Sequence, residues 1–282
     1  MSEPTASASW LTETGHRPLI GVGGRAPEPA RDVVRDRPVI VCGTSGGVGT
    51  SVVSALLADY RAAELGERSW WVDLSHSDGD MVERLGADEL GNKGWWESGR
   101  GTTLWFPTEG SSIPTALYAS PSEGSSIPRA LYEASTTGAA IPVVDAGTRA
   151  HAAAATIRDH HQTGAATPVL VLGPRPDLIN RARRVFSLWE AAGVLEHTVL
   201  VVCCQIPTLN HAALTDMLHD AMTGHAAAVV AFDYDPVLGS GTTLDLDAQE
   251  RLSPRTWDAL ATLAELTRDG GTAISHHQAV SR

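Results

Sequence analysis

The feature that most constrains this chain is a strand, a glycine loop and a helix in direct succession. Val39-Ile40-Val41-Cys42 is a short β-branched apolar run, the pattern of a strand buried on both faces. Gly43-Thr44-Ser45-Gly46-Gly47-Val48-Gly49-Thr50-Ser51 follows, and Val52, Val53, Leu56, Leu57 and Tyr60 then recur at helical spacing. A loop of this kind presents backbone N–H groups at a helix N-terminus. Its glycines permit positive φ and close approach, and the helix dipole favours negative charge. It reads as an anion site built on an α/β sheet.

The rest of the chain agrees. Ser69–Asp73, Thr103–Phe106, Ile141–Asp145, Val169–Leu172, Thr198–Cys203 and Ala228–Phe232 read as six further strands. Helical patterns at His151–His161, Leu178–Ala191 and Asn210–Met222 lie between them, and Ser253–Thr267 reads as a last helix with Ser253 as N-cap and Pro254 at its first position. Near-continuous apolar strands alternating with helices predict a doubly wound, mostly parallel seven-stranded sheet with helices on both faces, over residues 37–270. Residues 1–36 read as a disordered tail rich in Ser, Pro, Gly and Arg, and residues 271–282 as a flexible tail. An irregular insert over 91–136 contains a duplication. Glu109-Gly110-Ser111-Ser112-Ile113-Pro114 returns 14 residues later as Glu123-Gly124-Ser125-Ser126-Ile127-Pro128, either as a tolerated surface duplication or as a paired docking surface.

No run of 18 or more apolar residues and no basic, apolar leader is present, so neither a spanning helix nor a signal peptide is expected, and the reading is cytoplasmic. Cys42, Cys203 and Cys204 lie in apolar runs and read as buried thiols. The formal charge of −12 argues against a broad nucleic-acid surface. Arg175, Arg181, Arg183 and Arg184 read as a solvated helix face, with DNA contact the minor alternative. His160-His161 and His276-His277 match no metal-ligand spacing. Of the 21 basic residues only Lys93 is a lysine, so chemistry that needs an ammonium must use it or do without.

Two readings of the loop compete. Thr44–Ser51 has the spacing of a P-loop, GxxxxGK[ST], with Thr50 at the lysine position and Ser51 as the Mg²⁺-binding hydroxyl. Gly43, Gly47 and Gly49 also fit GxxxGxG, a dinucleotide loop, but no tyrosine has a lysine four residues on, so the associated YxxxK chemistry is absent. The P-loop reading needs an acidic residue that ends a hydrophobic strand, and Asp145 provides one; it also gives Asp73 a purpose.

At this level of detail the chain resembles the ParA/MinD group of P-loop ATPases. Ser45-Gly46-Gly47-Val48-Gly49-Thr50-Ser51 is similar to that family's deviant Walker A loop, KGGVGKT. Trp71–Asp80 is similar to its switch I stretch, Val143-Val144-Asp145-Ala146-Gly147 to its Walker B and switch II, and Phe232–Pro236 to the end of actinobacterial MinD-like proteins. The resemblance covers roughly 38–268. It implies that Ser45, Gly46, Gly47, Val48, Gly49, Thr50 and Ser51 cradle phosphate, that Ser51, Asp73 and Asp145 hold Mg²⁺, and that Asp73 and Asp145 serve catalysis. It also implies a protein partner and a homodimer.

The departures are equally specific. Ser45 stands where the family has its signature lysine and Thr50 where it has the P-loop lysine. Ser75, with Asp78 nearby, replaces the second switch I carboxylate, and Cys203-Cys204-Gln205 replaces an Asn. A charged hydrogen bond is worth about 1.5–3 kcal/mol, and a donor aimed at transition-state charge about 10²–10³ in rate. The expectation is therefore a degenerate ParA/MinD-like protein, holding ATP or ADP with Mg²⁺ weakly and hydrolysing it weakly or not at all. It would serve positioning, partitioning, or a secretion or conjugation apparatus. A non-catalytic interaction scaffold and an atypical NAD(P) binder are the alternatives.

Overall fold

A computed structural model describes residues 38–67, 69–75, 80–90, 95–105, 141–151, 153–154, 157–158, 166–207 and 212–268. The tails at 1–36 and 271–282, the duplication, Asp78, Lys93 and both His pairs fall outside them.

In chain order the strands are β1 (Val39–Gly43), β2 (Ser69–Asp73), β3 (Asp88–Glu89), β4 (Trp95–Glu97), β5 (Thr103–Trp105), β6 (Ile141–Asp145), β7 (Thr167–Leu172), β8 (Val199–Cys203) and β9 (Ala228–Phe232). The helices are α1 (Thr50–Ala63), α2 (Met81–Arg84), α3 (Pro176–Ala191), α4 (Ala212–Met222), α5 (Pro236–Gly239), α6 (Leu246–Glu250) and α7 (Pro254–Arg268). Among the described residues all nine strands join one sheet in the order β3-β4-β5-β2-β6-β1-β7-β8-β9. The seven expected strands are there and run parallel. The sheet has nine strands rather than seven, because β3 and β4 extend one edge as an antiparallel pair.

Burial follows the two-residue period of the strands. Val39, Val41, Val199 and Val201 point to one face and pack with Val53, Leu56 and Leu57 of α1 and Leu260 and Leu263 of α7. Ile40, Cys42, Leu170, Leu200 and Val202 point to the other, against Ala182, Val185 and Trp189 of α3. The tryptophan pairs obey the same alternation: Trp71 and Trp96 join the first cluster, Trp95 the second. All three cysteines are buried and free. Buried indole N–H groups find acceptors, as Trp71 donates to Ser54 Oγ (2.8 Å) and Trp189 to the Ala150 carbonyl (2.9 Å). At the end of α7's entry loop, Ser253 Oγ accepts from the Thr256 N–H, the predicted cap.

Candidate functional site

β1 has β6 on one side and β7 on the other, so the crevice at the carboxyl ends of these strands is the topological switch point, where ligands bind in open α/β sheets. The glycine loop lies there, and main-chain bonds fix its base. Gly43 donates its N–H to the Gly147 carbonyl (2.7 Å), and Thr44 donates to Val171 (2.9 Å). Val48 is fully buried and anchors the loop from below, within 3.1 Å of where a Gly43 Cβ would lie. Gly46 and Gly47 are exposed at the tip. Gly47 (φ 72°) and Gly49 (φ 92°) adopt the left-handed conformation, and Gly49 opens α1. Residues 45–51 thus form one continuous turn leading into a helix N-terminus.

The two carboxylates stand beside it. Asp73 and Asp145 are register partners at the ends of adjacent strands, and both are buried. Each orders the loop after it: Asp73 Oδ1 accepts from Ser75 N–H (2.7 Å), and Asp145 Oδ1 from Gly147 N–H (2.8 Å). The two loops touch, since a Cβ on Gly147 would lie 2.8 Å from Ser75 Cβ. Burial raises the Asp145 carboxyl to about 6; the Ser51 hydroxyl and Gly147 N–H oppose the rise, and the Asp73 charge adds to it. The predicted trio of Ser51, Asp73 and Asp145 is therefore one neighbourhood.

Among the described residues, three buried polar atoms around this turn have no hydrogen-bond partner: Thr44 Oγ1, Ser45 Oγ and Asp145 Oδ2. Two hydroxyl groups lacking acceptors suit anionic oxygens, and a carboxylate oxygen lacking a donor suits a cation. That donor set fits a phosphate with Mg²⁺, which prefers one or two carboxylates, a hydroxyl and phosphate oxygens to an all-protein cage. No cluster of three or more His, Cys, Asp or Glu side chains occurs among the described residues.

Ser45 and Thr50, the two positions at which the resemblance expects a lysine, face inward; each is 7 % exposed. The Thr50 hydroxyl lies so close over Gly43 that a Cβ at that position could not be accommodated. Ser45 is buried within its own chain. Two further groups border the loop: Arg149, which nothing in the sequence singles out, and the Cys203–Gln205 stretch, which the resemblance places where the family has an Asn. Arg149 donates Nη1 to the Leu74 carbonyl (3.3 Å), tying the segment after β6 to the segment after β2. Cys203 Sγ lies 2.9 Å, and Gln205 Nε2 3.5 Å, from where a Gly49 Cβ would be, so the end of β8 closes the far side of the loop.

Neither a protein-family model nor a curated protein sequence matches the chain. Solved structures do. The MinC:MinD cell division protein complex of Aquifex aeolicus matches with a TM-score of 0.54 at 16% identity, over 87% of this chain and 99% of that one. A ParA family ATPase from Chlorobium tepidum matches with 0.57 at 14%, over 82% and 99%. A plasmid partition protein of Borrelia burgdorferi, described as putative and bound to AMPPNP, matches with 0.50 at 9%, over 80% and 98%. The chain has the fold of the MinD and ParA P-loop ATPases. Among the described residues no helix is long and apolar enough to cross a membrane.

Proposed function

We propose that this chain is a degenerate ParA/MinD-like protein that binds ATP or ADP with Mg²⁺ weakly and hydrolyses it weakly or not at all. The observation that carries the reading is the trio of polar atoms unpartnered among the described residues, Thr44 Oγ1, Ser45 Oγ and Asp145 Oδ2, set around a positive-φ glycine turn at a helix N-terminus. In this reading the amides of residues 46–51 receive phosphate, and Ser51, Asp73 and Asp145 hold the metal. The metal would neutralise phosphate charge. Thr50 and Ser45 bring no cation, so ground-state binding outlasts transition-state stabilisation.

The biological setting consistent with this is positioning or partitioning of cargo through a protein partner, or service to a secretion or conjugation apparatus. The MinD and ParA likenesses support it, and so does the MinC complex formed by one of them. A pseudo-ATPase scaffold is the second reading, favoured by the inward Thr50 hydroxyl. Titration with ATP, ADP and NAD(H), with and without Mg²⁺, separates these. Mg²⁺-dependent binding of ATP with turnover near background supports the proposal. Robust turnover refutes degeneracy, absence of ATP binding leaves the scaffold, and preference for NAD(H) selects the dinucleotide reading.

A further inference from the structure

The two edges of the sheet differ. β3 is short and exposed, and both its residues, Asp88 and Glu89, are acidic. A short charged edge resists pairing with another strand. β9, at the opposite edge, pairs with β8 alone among the described residues. It is five residues long, and from Ala226 to Phe232 the chain carries neither charge nor proline to guard it.

The direction of its main chain is fixed. The Phe232 carbonyl accepts from the Cys204 N–H (2.8 Å), so Phe232 turns its main-chain groups toward β8. Strand residues alternate in this respect, so Val230 turns with it, and Val229 and Ala231 turn their N–H and carbonyl groups outward. Beside them a groove of about 300 Å³ runs between β9 and α7, with Arg255, Asp258 and Thr262 on its helical wall. These three and Glu265 are exposed and recur at intervals of three and four residues, so they share one side of α7. Arg255 Nη1 donates to Asp233 Oδ2 (3.0 Å) at the upper end of this groove.

A second copy of the chain answers these features with its own. A two-fold axis through the edge at Val230, perpendicular to the sheet, sets Val229 opposite Ala231 of the other copy, and Ala231 opposite its Val229. Pairs of this kind exchange both N–H···O bonds, so every outward donor meets an outward acceptor. The same axis reverses α7, and the basic end of its exposed stripe, Arg255, comes toward the acidic end, Glu265, of the other copy. In a chain of net charge −12 most faces repel their like; this edge brings together an uncharged strand and helix ends of opposite charge. An unrelated strand would satisfy the main chain but not Arg255 and Glu265 together.

We propose that two copies of this chain join edge to edge through antiparallel β9 strands, extending the sheet across the axis. β7 and β8 separate this edge from β1, and the inference does not depend on nucleotide binding. The test is sedimentation equilibrium of the full chain without nucleotide or Mg²⁺, together with disulfide trapping by copper phenanthroline. Val230 meets its own copy at the axis as a non-hydrogen-bonded pair, with Cα atoms about 4.5 Å apart, a separation that a disulfide spans. V230C is expected to yield a disulfide-linked dimer well above the background set by the parent, whose three thiols are buried, and by L246C at an exposed position on α6. A231P removes an outward N–H and no bond within the sheet, and should weaken the dimer at least tenfold while far-UV dichroism stays that of the parent. R255E should weaken the dimer, and R255E/E265R should recover it. A parent that is monomeric at every concentration, a dimer as tight in A231P as in the parent, V230C trapped no better than L246C, or a double variant no tighter than R255E overturns the assignment.

Discussion

Replacing Asp145 by asparagine should stabilise the metal-free protein at neutral pH while abolishing its response to Mg²⁺ and ATP. Asp145 is fully buried at the end of β6, and its carboxyl is raised from 3.8 to about 6, first by burial and further by the Asp73 charge. The native state therefore holds a proton between about pH 4 and 6 that the unfolded chain has released. Stability from this group is fully present below pH 4 and declines as pH rises through 6. A shift of about two units corresponds to about 3 kcal/mol at pH 7.5. Asparagine keeps the acceptor for the Gly147 N–H, carries no charge, and can donate toward the Ser51 hydroxyl. At roughly 2–4 °C per kcal/mol for a domain of this size, D145N should melt up to about 6–12 °C above the parent at pH 7.5. The gap should close toward pH 4. With Mg²⁺ and ATP the parent should gain stability through binding to the native state, and D145N should not. Thermal melts from pH 4 to 8, with and without both ligands, measure all of this. A variant that melts at or below the parent at pH 7.5, or a gap independent of pH, would refute the assignment of Asp145 as a strained, cation-seeking carboxylate.

Other outcomes follow from the same geometry. T50K restores an ammonium at the loop and should tighten ATP binding about 10- to 100-fold, the worth of one charged hydrogen bond, as read by isothermal titration. G49A places a methyl 2.9 Å from Cys203 Sγ at φ 92° and should lower stability by about 1–3 kcal/mol in denaturant melts. Asp235 behaves opposite to Asp145. Burial pulls its carboxyl up, but bonds from the Ser253 N–H, the Thr256 hydroxyl and the Val237 N–H hold it below the usual range. D235N should therefore lose about 1–3 kcal/mol at pH 7, and the deficit should shrink as acid protonates the parent.

What the sequence reveals follows from how local the signal is. The central parallel strands β1, β7 and β8 are buried on both faces, so each leaves a compact apolar run such as Val169–Leu172. β3 is two exposed residues and β4 three, too short for any period to register, and their pairing at the sheet edge depends on contacts distant in sequence. Likewise Asp73 and Asp145 are legible because each ends a hydrophobic strand. The Gly147–Ser75 contact, the Arg149 bond to Leu74 and the approach of Cys203 to Gly49 join different strands. β8 is separated from β1 by β7, so no local pattern places its end beside the loop; only the resemblance, which sets Cys203-Cys204-Gln205 where the family has an Asn, marks it.

The loop's unpartnered atoms bear on the choice between a relic and a working site. A buried polar group without a partner costs about 1–3 kcal/mol. Among the described residues, Thr44 and Ser45 in the loop and Asp145 beside it each carry one, where the main chain is otherwise well bonded. Apolar or amide substitutes of similar shape, valine for Thr44, alanine for Ser45 and asparagine for Asp145, would remove these costs without disturbing the turn. A loop kept only for its shape has no use for such atoms together; one that receives anionic oxygens and a cation has a use for all three. On the proposed reading, Ser45 and Thr50 in place of lysines would lower affinity and rate at such a site and leave its main-chain and carboxylate frame intact. On this argument T44V and S45A should each stabilise the free protein or leave it unchanged, and each should weaken nucleotide binding. Variants that stabilise the free protein without affecting binding would identify the turn as a relic.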